Sequence, residues 1–442
     1  MEQCKFLIVG MGNRGIFFAK SLLGWPDKGL PEFPARAKLV ALADRNLSRA
    51  QACKDELLRR PIPNDLPLFR DVDEAVKQTR PDWALVTVPD HAHKEVCCKL
   101  LSLGVNVLVE KPLATSVLEC RQILDKAKEA GREVRVAHNY RHMRWVLRAG
   151  ALVRAGRIGR VLSVEAAEIL GNQHGADYFH RWHADFRNSG GMLIQKACHH
   201  FDLINWILRD KPVCVSAMGS RTLYIARPDL DHAARCDDCK LKKSCVYAKD
   251  LDVWGGLHRR MYRDSEHEDG YIRDRCVFDD THTIYDNYHM SLQFAKGVIG
   301  TYTLTTFGPR EYVFANFTGT EGSIEAGHDP FTQKEYVRLM HNNGQVETFI
   351  TDDEGGMDGH GGADTRMVAA FLGFRDKDIE PESLSTAEEA LQAVMGADLG
   401  NRSLAKGGVP VWADEAGRDL PLPPPGKNWA EKLPQARQIT GE

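Results

Sequence analysis

The sequence lacks the features that mark membrane proteins and nucleic-acid-binding proteins. Its 442 residues contain no apolar run of about eighteen residues or more, so we expect no membrane span. The formal net charge is only −3, which gives nucleic acid or an anionic membrane no electrostatic attraction. The N-terminus shows no basic leader and no small-residue cleavage site, which predicts a cytoplasmic protein. We therefore expect a small-molecule partner.

The sequence also lacks internal repeats and the cysteine spacing of a disulfide framework. Its eleven cysteines are scattered, and two of them, Cys97 and Cys98, are adjacent, which is typical of reduced thiols. A hydrophobic content of 43% and a charged content of 27% are ordinary for a globular protein. At about 150 residues per domain, the length predicts two or three domains.

Residues 1–138 alternate short apolar runs with amphipathic stretches. Runs rich in Val, Leu and Ile predict strands that are buried on both faces, and the stretches between them predict helices. Repeated strand and helix predict an α/β fold, an N-terminal Rossmann domain with a doubly wound parallel sheet. The predicted strands are KFLIVG, KLVALAD, WALVTVP, NVLVE and EVRVAH.

Residues 139–412 change to a pattern that predicts an α+β domain. Alternating apolar and polar residues after position 287 predict a large, mainly antiparallel open sheet with one wet face, followed by two helices. A cysteine-rich insertion occupies about residues 229–280 of this domain. Residues 413–442 are proline-rich and predict an extended arm or a subunit contact.

A glycine-rich turn follows the first predicted strand. Gly10, Gly12 and Gly15 have the G-x-G-x-x-G spacing between a strand and a helix, with Asn13 and Arg14 inside the turn. Glycine permits close approach of the backbone to a pyrophosphate, and a helix N-terminus attracts its charge. We predict that these five residues bind a dinucleotide; a plain strand-to-helix turn is the structural alternative.

The end of the second strand bears on the choice of cofactor. Asp44 would accept hydrogen bonds from a ribose 2′-hydroxyl and repel a 2′-phosphate, which favours NAD over NADP. Its neighbour Arg45 could lie on the adenine face or meet a phosphate, so NADP is the less favoured alternative.

Two further motifs complete a family pattern. Pro89 and His93 lie in TVPDHAHKE, and Glu110, Lys111 and Pro112 lie in LVEKPLATS. With the glycine-rich turn, their order resembles the Gfo/Idh/MocA oxidoreductases over roughly the first 210 residues. The resemblance implies that Lys111 touches the reacting hydroxyl beside a nicotinamide, and that its peptide bond to Pro112 is often cis. It also implies a homodimer or homotetramer.

The segment GGMLIQKACHHFDLINWIL predicts one helix with its polar residues towards a cleft. Spacings of four and three place Gln195, His199, Asp202 and Trp206 on one face, with Lys196 beside it. A histidine near neutral pKa can take a hydroxyl proton, so His199 is the predicted base, assisted by Lys111.

The neighbours of His199 set this chain apart from the family's inositol dehydrogenase branch. Gln195 stands where that branch has an aspartate, and an amide cannot accept a proton. Lys196 could lower the pKa of His199 or bind a substrate oxygen. The structural alternative for this segment is that His199 and Asp202 pair as buried polar groups, with Trp206 in the core.

Other residues of the second domain are candidates for substrate binding. The resemblance extends to NYRH, which contains Tyr140 and Arg141. Upstream of the Gly190 helix, flat aromatic faces suit sugar C–H groups and charged side chains suit hydroxyls, although a packed loop fits this segment equally well. The residues in question are Tyr178, Arg181, Trp182, His183 and Arg187.

Four cysteines of the insertion predict a metal site. Cys236 and Cys239 have C-x2-C spacing, Cys245 follows, and Cys276 comes just before the next strand. Three or four thiolates suit tetrahedral zinc, which is the predicted ligand, and the segment has few apolar residues to hold it by packing. An iron–sulfur cluster or free thiols remain alternatives.

These observations predict an NAD-dependent enzyme that oxidises a secondary hydroxyl of a sugar or glycoside, possibly at C3. His199 would take the proton while hydride passes to the nicotinamide. One alternative is a redox-neutral glycosidase that oxidises transiently and eliminates the C1 substituent. A further alternative is a non-catalytic dinucleotide-binding regulator.

Overall fold

The computed structural model describes residues 3–26, 28–62, 65–332, 334–351, 360–376, 379 and 381–416. Most of the predicted C-terminal arm, residues 417–442, lies outside them. The described strands are β1 Cys4–Val9, β2 Ala37–Ala43, β3 Leu68–Phe69, β4 Trp83–Val86, β5 Asn106–Val109, β6 Val134–Val136, β7 Val161–Ile169, β8 Pro212–Ser220, β9 Asn287–Phe294, β10 Ile299–Thr305, β11 Tyr312–Gly319, β12 Gly322–His328, β13 Glu335–His341, β14 Val346–Thr351, β15 Ser385–Thr386 and β16 Val411–Trp412.

The helices of the described residues are spread over both halves of the chain, and none of them is both long enough and apolar enough to cross a membrane. Their bounds are α1 Asn13–Leu22, α2 Leu47–Leu57, α3 Val72–Thr79, α4 His93–Ser102, α5 Val117–Ala130, α6 Arg144–Arg154, α7 Asn172–Phe179, α8 Phe186–Ser189, α9 Gly191–Gln195, α10 Cys198–Leu208, α11 Leu257–Met261, α12 Glu266–Asp269, α13 Ala363–Phe371 and α14 Ala387–Ala405.

The first sheet carries the five strands that the apolar runs predict. Over the described residues its order is β15-β6-β5-β4-β1-β2-β3, with β1 to β6 parallel and β15 antiparallel to β6. The predicted parallel, doubly wound fold is confirmed. The pattern missed β3 and β15, because each is only two residues long.

The second sheet is mixed and mostly antiparallel, as predicted. Its order within the described ranges is β14-β13-β12-β11-β7-β10-β9-β8-β16, and β7 and β10 form its parallel pair. Along β9 exposed and buried residues alternate strictly, so one face of the sheet is wet there and the other is covered by helices. Helices and loops of the second domain, and not the strands of this sheet, line the second wall of the cleft described below.

The predicted single helix after Gly190 is interrupted. Two backbone N–H groups, those of Lys196 and Ala197, both donate to the carbonyl oxygen of Met192, at 2.9 and 3.0 Å. The N–H of His199 then donates to the carbonyl oxygen of Lys196. The chain therefore leaves helix α9 at Gln195 and restarts as α10 at Cys198, which changes the direction of the side chains on either side of the break.

Late elements return to the first domain and fix the two sheets relative to each other. Helix α14 packs on α5, α9, α10 and β8. It begins with a capping box, in which Thr386 and Glu389 each accept a hydrogen bond from the other's backbone N–H. Met367 and Val368 of α13 are buried in the same core cluster as Phe6 of β1. The cleft thus lies between two walls that share packing.

Candidate active site

A cleft runs along the carboxyl ends of β1, β2, β4 and β5 and is closed on its far side by the second domain. Ligands of open α/β sheets bind at this edge. Of the predicted site residues, these line the cleft: Gly10, Gly12, Asn13, Arg14, Asp44, Arg45, Pro89, Glu110, Lys111, Trp182, His183, Gln195, Lys196 and His199. Four others lie outside its lining: Gly15, His93, Tyr140 and Arg141.

The three glycines of the turn meet different surroundings. A Cβ atom on Gly15 would lie 2.1 Å from the carbonyl oxygen of Gly10, and one on Gly10 would lie 2.7 Å from the backbone of Thr87. A Cβ atom on Gly12 would meet only the hydroxyl of Tyr262, at 3.5 Å. Gly10 and Gly15 are therefore needed for packing, whereas Gly12 leaves the backbone open to the cleft where α1 begins. This arrangement fits a dinucleotide pyrophosphate.

Asp44 is held rigidly at the end of β2. Its Oδ2 atom accepts the N–H of Met11 at 2.6 Å and its Oδ1 atom accepts the N–H of Asn46 at 2.8 Å. Burial raises the pKa of Asp44, and Arg49, 3.6 Å away, partly offsets this. Each oxygen keeps a further lone pair, so the carboxylate fits a ribose hydroxyl. Arg45 lines the same end of the cleft.

Arg14 is committed to carboxylates. Its Nε atom donates to Glu110 at 2.5 Å, and its two terminal nitrogens donate to Asp364 at 2.8 and 3.1 Å. Glu110 also accepts the backbone N–H of Lys111 at 3.1 Å. The Arg14 and Glu110 side chains thus tie α1 to the end of β5, and so link the glycine-rich turn to the Lys111 turn.

His93 holds the second turn together and does not reach the cleft. It is fully buried, with its ring nitrogens 2.8 Å from the carbonyl oxygen of Pro112 and 3.1 Å from that of Val88. The side chain joins the turn after β4 to the turn after β5. Pro89, by contrast, lies on the cleft surface.

Lys111 lies where the two walls meet. The peptide bond between Lys111 and Pro112 is cis. The Lys111 Nζ atom donates to the backbone carbonyl oxygen of Gln195 at 2.9 Å. An ammonium group has three donors, so two remain for a ligand in the cleft.

His199 is buried and lines the cleft. Its ring stacks on Tyr140 with centroids 4.0 Å apart, and its Nδ1 atom is enclosed without a hydrogen-bond partner among the described residues. Burial, together with the charges of Lys111 and Lys196, holds the pKa of His199 well below its usual value. The imidazole is therefore neutral at physiological pH and able to accept a proton.

Lys196 belongs to a buried charged group. Its Nζ atom donates to the Tyr140 hydroxyl at 2.8 Å and lies 3.1 Å from Glu168, to which Tyr140 also donates at 3.1 Å. Burial alone would lower the pKa of Lys196, but the Glu168 carboxylate outweighs it and holds the pKa well above its usual value. Lys196 is thus a fixed positive charge at the cleft wall. Tyr140 contacts both Lys196 and His199 from behind.

Arg141 and Asp202 form a buried ion pair away from the cleft. Two Arg141 nitrogens each donate to Asp202 at 2.6 Å, and both side chains are about 1% exposed. This bidentate pair occupies the Arg141 guanidinium, so Arg141 does not contact substrate as the resemblance implied. Trp206 is half-buried beside Arg154, whose guanidinium lies 4.6 Å from its ring. Asp202 and Trp206 thus lie outside the cleft lining, although they are on the same helix as His199.

The loop before α9 supplies part of the cleft wall. Trp182 and His183 stack with ring centroids 3.6 Å apart, and both line the cleft together with Tyr178 and Arg181. Arg187 instead points to solvent and pairs with Asp185 at 2.7 Å. Four of the five candidate sugar-binding residues are therefore at the cleft.

Sequence reasoning missed several cleft residues. Asp90 directly follows Pro89 and lines the cleft, its Oδ2 atom buried without a partner in the described part of the chain. Burial raises its pKa well above the usual value. Its place at a strand end could have indicated it. Others come from distant segments with no local motif: His174, Tyr262, Asp269, Tyr271, Arg273 and His360.

The four insertion cysteines line one separate pocket. Cys239 donates its N–H to the carbonyl oxygen of Cys236 at 3.1 Å, and Cys276 lies beside Cys236 through an antiparallel bridge of their neighbours. Even so, across the described residues no three His, Cys, Asp or Glu side chains are placed to hold one metal ion. Burial raises the pKa of Cys236 to about 12. The zinc prediction is not supported by these positions.

Comparisons with known proteins agree with the two-domain architecture. An oxidoreductase family model, NAD-binding Rossmann fold, matches residues 4–138, and the C-terminal alpha/beta domain of the same family matches residues 151–412. The chain is 28% identical over 376 residues to the protein YteT of Bacillus subtilis, covering 78% of this chain and 84% of that protein.

Two further proteins have more specific names. The chain is 26% identical over 218 residues to scyllo-inositol 2-dehydrogenase (NAD(+)) of Bacillus subtilis, covering 49% of this chain and 58% of that protein. A structure of levoglucosan dehydrogenase with NADH and L-sorbose has the same fold, with a TM-score of 0.64 and 17% identity over 93% of this chain and 99% of that one. Since the two family models together span most of the sequence, the chain belongs to the Gfo/Idh/MocA family of NAD-binding oxidoreductases.

Proposed function

We propose that this protein oxidises a secondary hydroxyl of a sugar or glycoside, with NAD as the hydride acceptor. The observation that supports it is the meeting of Lys111, from the first domain, with Gln195 and His199, from the second, in the cleft that holds the glycine-rich turn. NAD, when bound, supplies the two-electron oxidant. The chain's residues supply the proton acceptor and the binding of the sugar.

His199 acts as the base in this proposal. A neutral imidazole can accept the hydroxyl proton, and the low pKa of His199 keeps it neutral at physiological pH. Because Nδ1 is enclosed, we assign Nε2 as the ring nitrogen that accepts the hydroxyl proton. The Tyr140 ring, 4.0 Å from the imidazole, fixes its orientation.

Lys111 binds the oxygen that loses the proton. The backbone carbonyl oxygen of Gln195 takes one of its three donors and fixes the side chain. The remaining donors can stabilise negative charge that develops on the substrate oxygen, which makes its proton easier to remove. This action compensates for a base whose pKa is low.

Lys196 and the segment that carries Arg181, Trp182 and His183 bind the rest of the sugar. Lys196 stays charged through Glu168, so it donates to hydroxyls and does not compete with His199 for the proton. The stacked rings of Trp182 and His183 offer a flat surface to sugar C–H groups. Arg181, beside Tyr178, adds a cationic donor at the same wall.

The test is a screen of sugars, polyols and glycosides with purified protein, which measures both NADH formation and released aglycone. With an active compound, Lys111→Met should abolish most turnover while NAD binding, measured by calorimetry, is retained. Lys94→Met is the matched control, because Lys94 lies on α4 outside the cleft. Full turnover in Lys111→Met would refute the proposed role.

A redox-neutral glycosidase is the second candidate. The substrate carbon would lose hydride, the adjacent C–H would lose its proton, the C1 substituent would leave, water would add, and the same hydride would return. The contacts of the cysteine-rich insertion with the dinucleotide domain favour this candidate, because they favour a cofactor that stays bound. Aglycone release without accumulation of NADH would identify it.

Zinc in the insertion is also kept as a proposal. It is supported by four cysteines on one pocket, two of them joined by a tight turn, although the thiols would have to move closer to share an ion. Elemental analysis of protein purified without added metal should show about one zinc per chain. Its absence, with all four thiols open to alkylation, would end the proposal.

A homodimer or homotetramer through the open face of the second sheet is the proposed assembly. Met218, Ile299, Val346 and Ile350 are exposed on this face, from 54% to 71%. Apolar side chains grouped on one sheet face are typical of a subunit interface. Light scattering after gel filtration should give a multiple of the 49.5 kDa chain mass, and a monomer would contradict the proposal.

A further inference from the structure

We propose that residues 252–273 of the insertion form a clasp that closes the dinucleotide site and keeps NAD bound between turnovers. The inference rests on NAD binding, which the family membership shows, and not on the proposed sugar substrate. It assigns a cofactor-binding role to a segment about 240 residues away from the glycine-rich turn in sequence.

The clasp contacts the glycine-rich turn itself. The hydroxyl of Tyr262 accepts the backbone N–H of Asn13 at 3.2 Å and donates to the Asn13 side-chain oxygen at 2.9 Å. His258 lies 2.9 Å from the same oxygen through Nε2. Because Tyr262 also bounds the space beside Gly12, it borders the position that fits the pyrophosphate.

A second set of contacts holds the N-terminus of α2, next to Asp44. The Glu268 carboxylate accepts the backbone N–H of Leu47 at 3.1 Å and that of Ser48 at 2.7 Å, and Arg70 donates to it at 2.9 Å. A carboxylate at a helix N-terminus is stabilised by the unpaired N–H groups there.

Buried bonds behind the carboxylate reinforce this attachment. Arg49 donates to Asp269 at 2.7 Å and to the backbone carbonyl oxygen of Met261 at 3.1 Å. Asn46 donates to the carbonyl oxygen of Ser265 at 2.8 Å. Leu257 and Met261 belong to the same core cluster as Met11, after β1, and Ile16, in α1. The clasp is therefore packed on the first domain and does not merely lie above it.

Arg273 points to what the clasp binds. The side chain is 2% exposed, lines the cleft with Tyr262 and Tyr271, and donates to Asp177 at 2.7 Å through one terminal nitrogen. Its other terminal nitrogen, Nη1, is buried without a partner within the described ranges. An unpaired guanidinium donor at a cleft wall is suited to a phosphate oxygen. We assign this donor to the pyrophosphate of NAD.

The two sets of contacts explain retention. The glycine-rich turn forms one wall of the dinucleotide site, and the clasp, which belongs to the other domain, forms the opposite wall. Release of the cofactor then requires the clasp to separate from α2, with loss of buried hydrogen bonds and of packed apolar side chains. A slow dissociation rate follows, and NAD behaves as a resident group.

The experiment measures cofactor retention directly, without substrate. Protein is purified without added cofactor, its NAD(H) content is measured, and dissociation of bound NADH is followed by fluorescence after mixing with excess NAD. We expect about one NAD(H) per chain in the wild type. Loss of the two hydrogen bonds of the Tyr262 hydroxyl in Tyr262→Phe, or of the charged acceptor in Glu268→Gln, should speed dissociation severalfold, and loss of the charged donor in Arg273→Gln about tenfold.

The control is Lys240→Gln, an exposed residue of the same insertion outside the clasp, which should dissociate NADH like the wild type. Thermal unfolding checks that each variant is folded. Should Arg273→Gln fail to fold, Tyr262→Phe, which keeps the ring, still decides the outcome. An empty wild-type protein with fast NADH exchange, or unchanged rates in folded variants, would overturn the clasp. Failure to find a sugar substrate would leave this result unaffected.

Discussion

Replacing His199 by asparagine tests the proposed base most directly. Asparagine fills much of the space beside Tyr140 but cannot accept a proton at neutral pH. A positioned general base contributes about 10²- to 10⁴-fold to rate, or about 2.7 to 5.4 kcal/mol of activation free energy. We expect kcat of His199→Asn to fall by that range, because the hydroxyl proton would then pass to water. The dissociation constant of NADH should stay within about twofold, since His199 lies on α10, apart from the glycine-rich turn and Asp44.

The pH profile separates a base from a packing residue. In the wild type the acid limb of kcat/KM should lie below the ordinary histidine pKa of about 6.5, because burial and two lysines disfavour the protonated imidazole. In Lys196→Met combined with Glu168→Gln, one of these charges is lost and no buried carboxylate is left unpaired. The acid limb should therefore move to higher pH.

The matched control for the histidine is His142→Asn. His142 is equally buried but lies outside the cleft, near Ser383. Its kcat should match the wild type when the protein is folded. Undiminished turnover in His199→Asn, or an acid limb that does not move in the double variant, would refute the assignment of the base.

Three further predictions concern the supports of the site. Arg141→Met should lower the free energy of unfolding by about 3 to 5 kcal/mol, since it leaves a buried carboxylate unpaired; chemical denaturation measures this, and adding Asp202→Asn should restore part of the loss. Gly15→Ala should cost about 1 to 3 kcal/mol of stability because its Cβ meets a backbone carbonyl oxygen at 2.1 Å, whereas Gly12→Ala should leave the denaturation midpoint nearly unchanged and weaken NAD binding in calorimetry. Trp182→Ala should raise KM for an active sugar with a smaller change in kcat. An equal fall in kcat and in kcat/KM would instead place Trp182 in the chemical step.

The sequence predicted those parts of the molecule that depend on local pattern. Buried parallel strands are continuous apolar runs, so β1, β2, β4, β5 and β6 could be predicted. The glycine-rich turn could be predicted too, because it depends on three glycines at fixed spacing. The break after Gln195 was not visible, because it depends on two N–H groups sharing one carbonyl oxygen. The break separates Gln195 and Lys196 from α10, whereas His199 and Asp202 both lie on α10. Asp202 differs from His199 because its carboxylate pairs with Arg141 in the interior.

Contacts between residues that are far apart in sequence were the main feature that could not be predicted. Arg141 was assigned to substrate through the resemblance in NYRH, and that motif does not reveal its partner Asp202, which is 61 positions away. The clasp was missed for the same reason, since Tyr262 has no motif and meets Asn13 only in the folded chain. The four-cysteine spacing, by contrast, is a local pattern that predicted a zinc site; the four cysteines line one pocket, but among the described residues no three ligand side chains are placed to hold one ion.

Gln195 stands where the inositol dehydrogenase branch has an aspartate, and this difference is consistent with the charges around His199. A carboxylate beside the imidazole would stabilise its protonated form and raise its pKa. Gln195 has no charge, and its backbone oxygen anchors Lys111 instead. With Lys111 and Lys196 both positive nearby, His199 is kept neutral and is a weak base. Such a base is effective only when the substrate oxygen is itself made more acidic, which is the role that the free donors of Lys111 can perform.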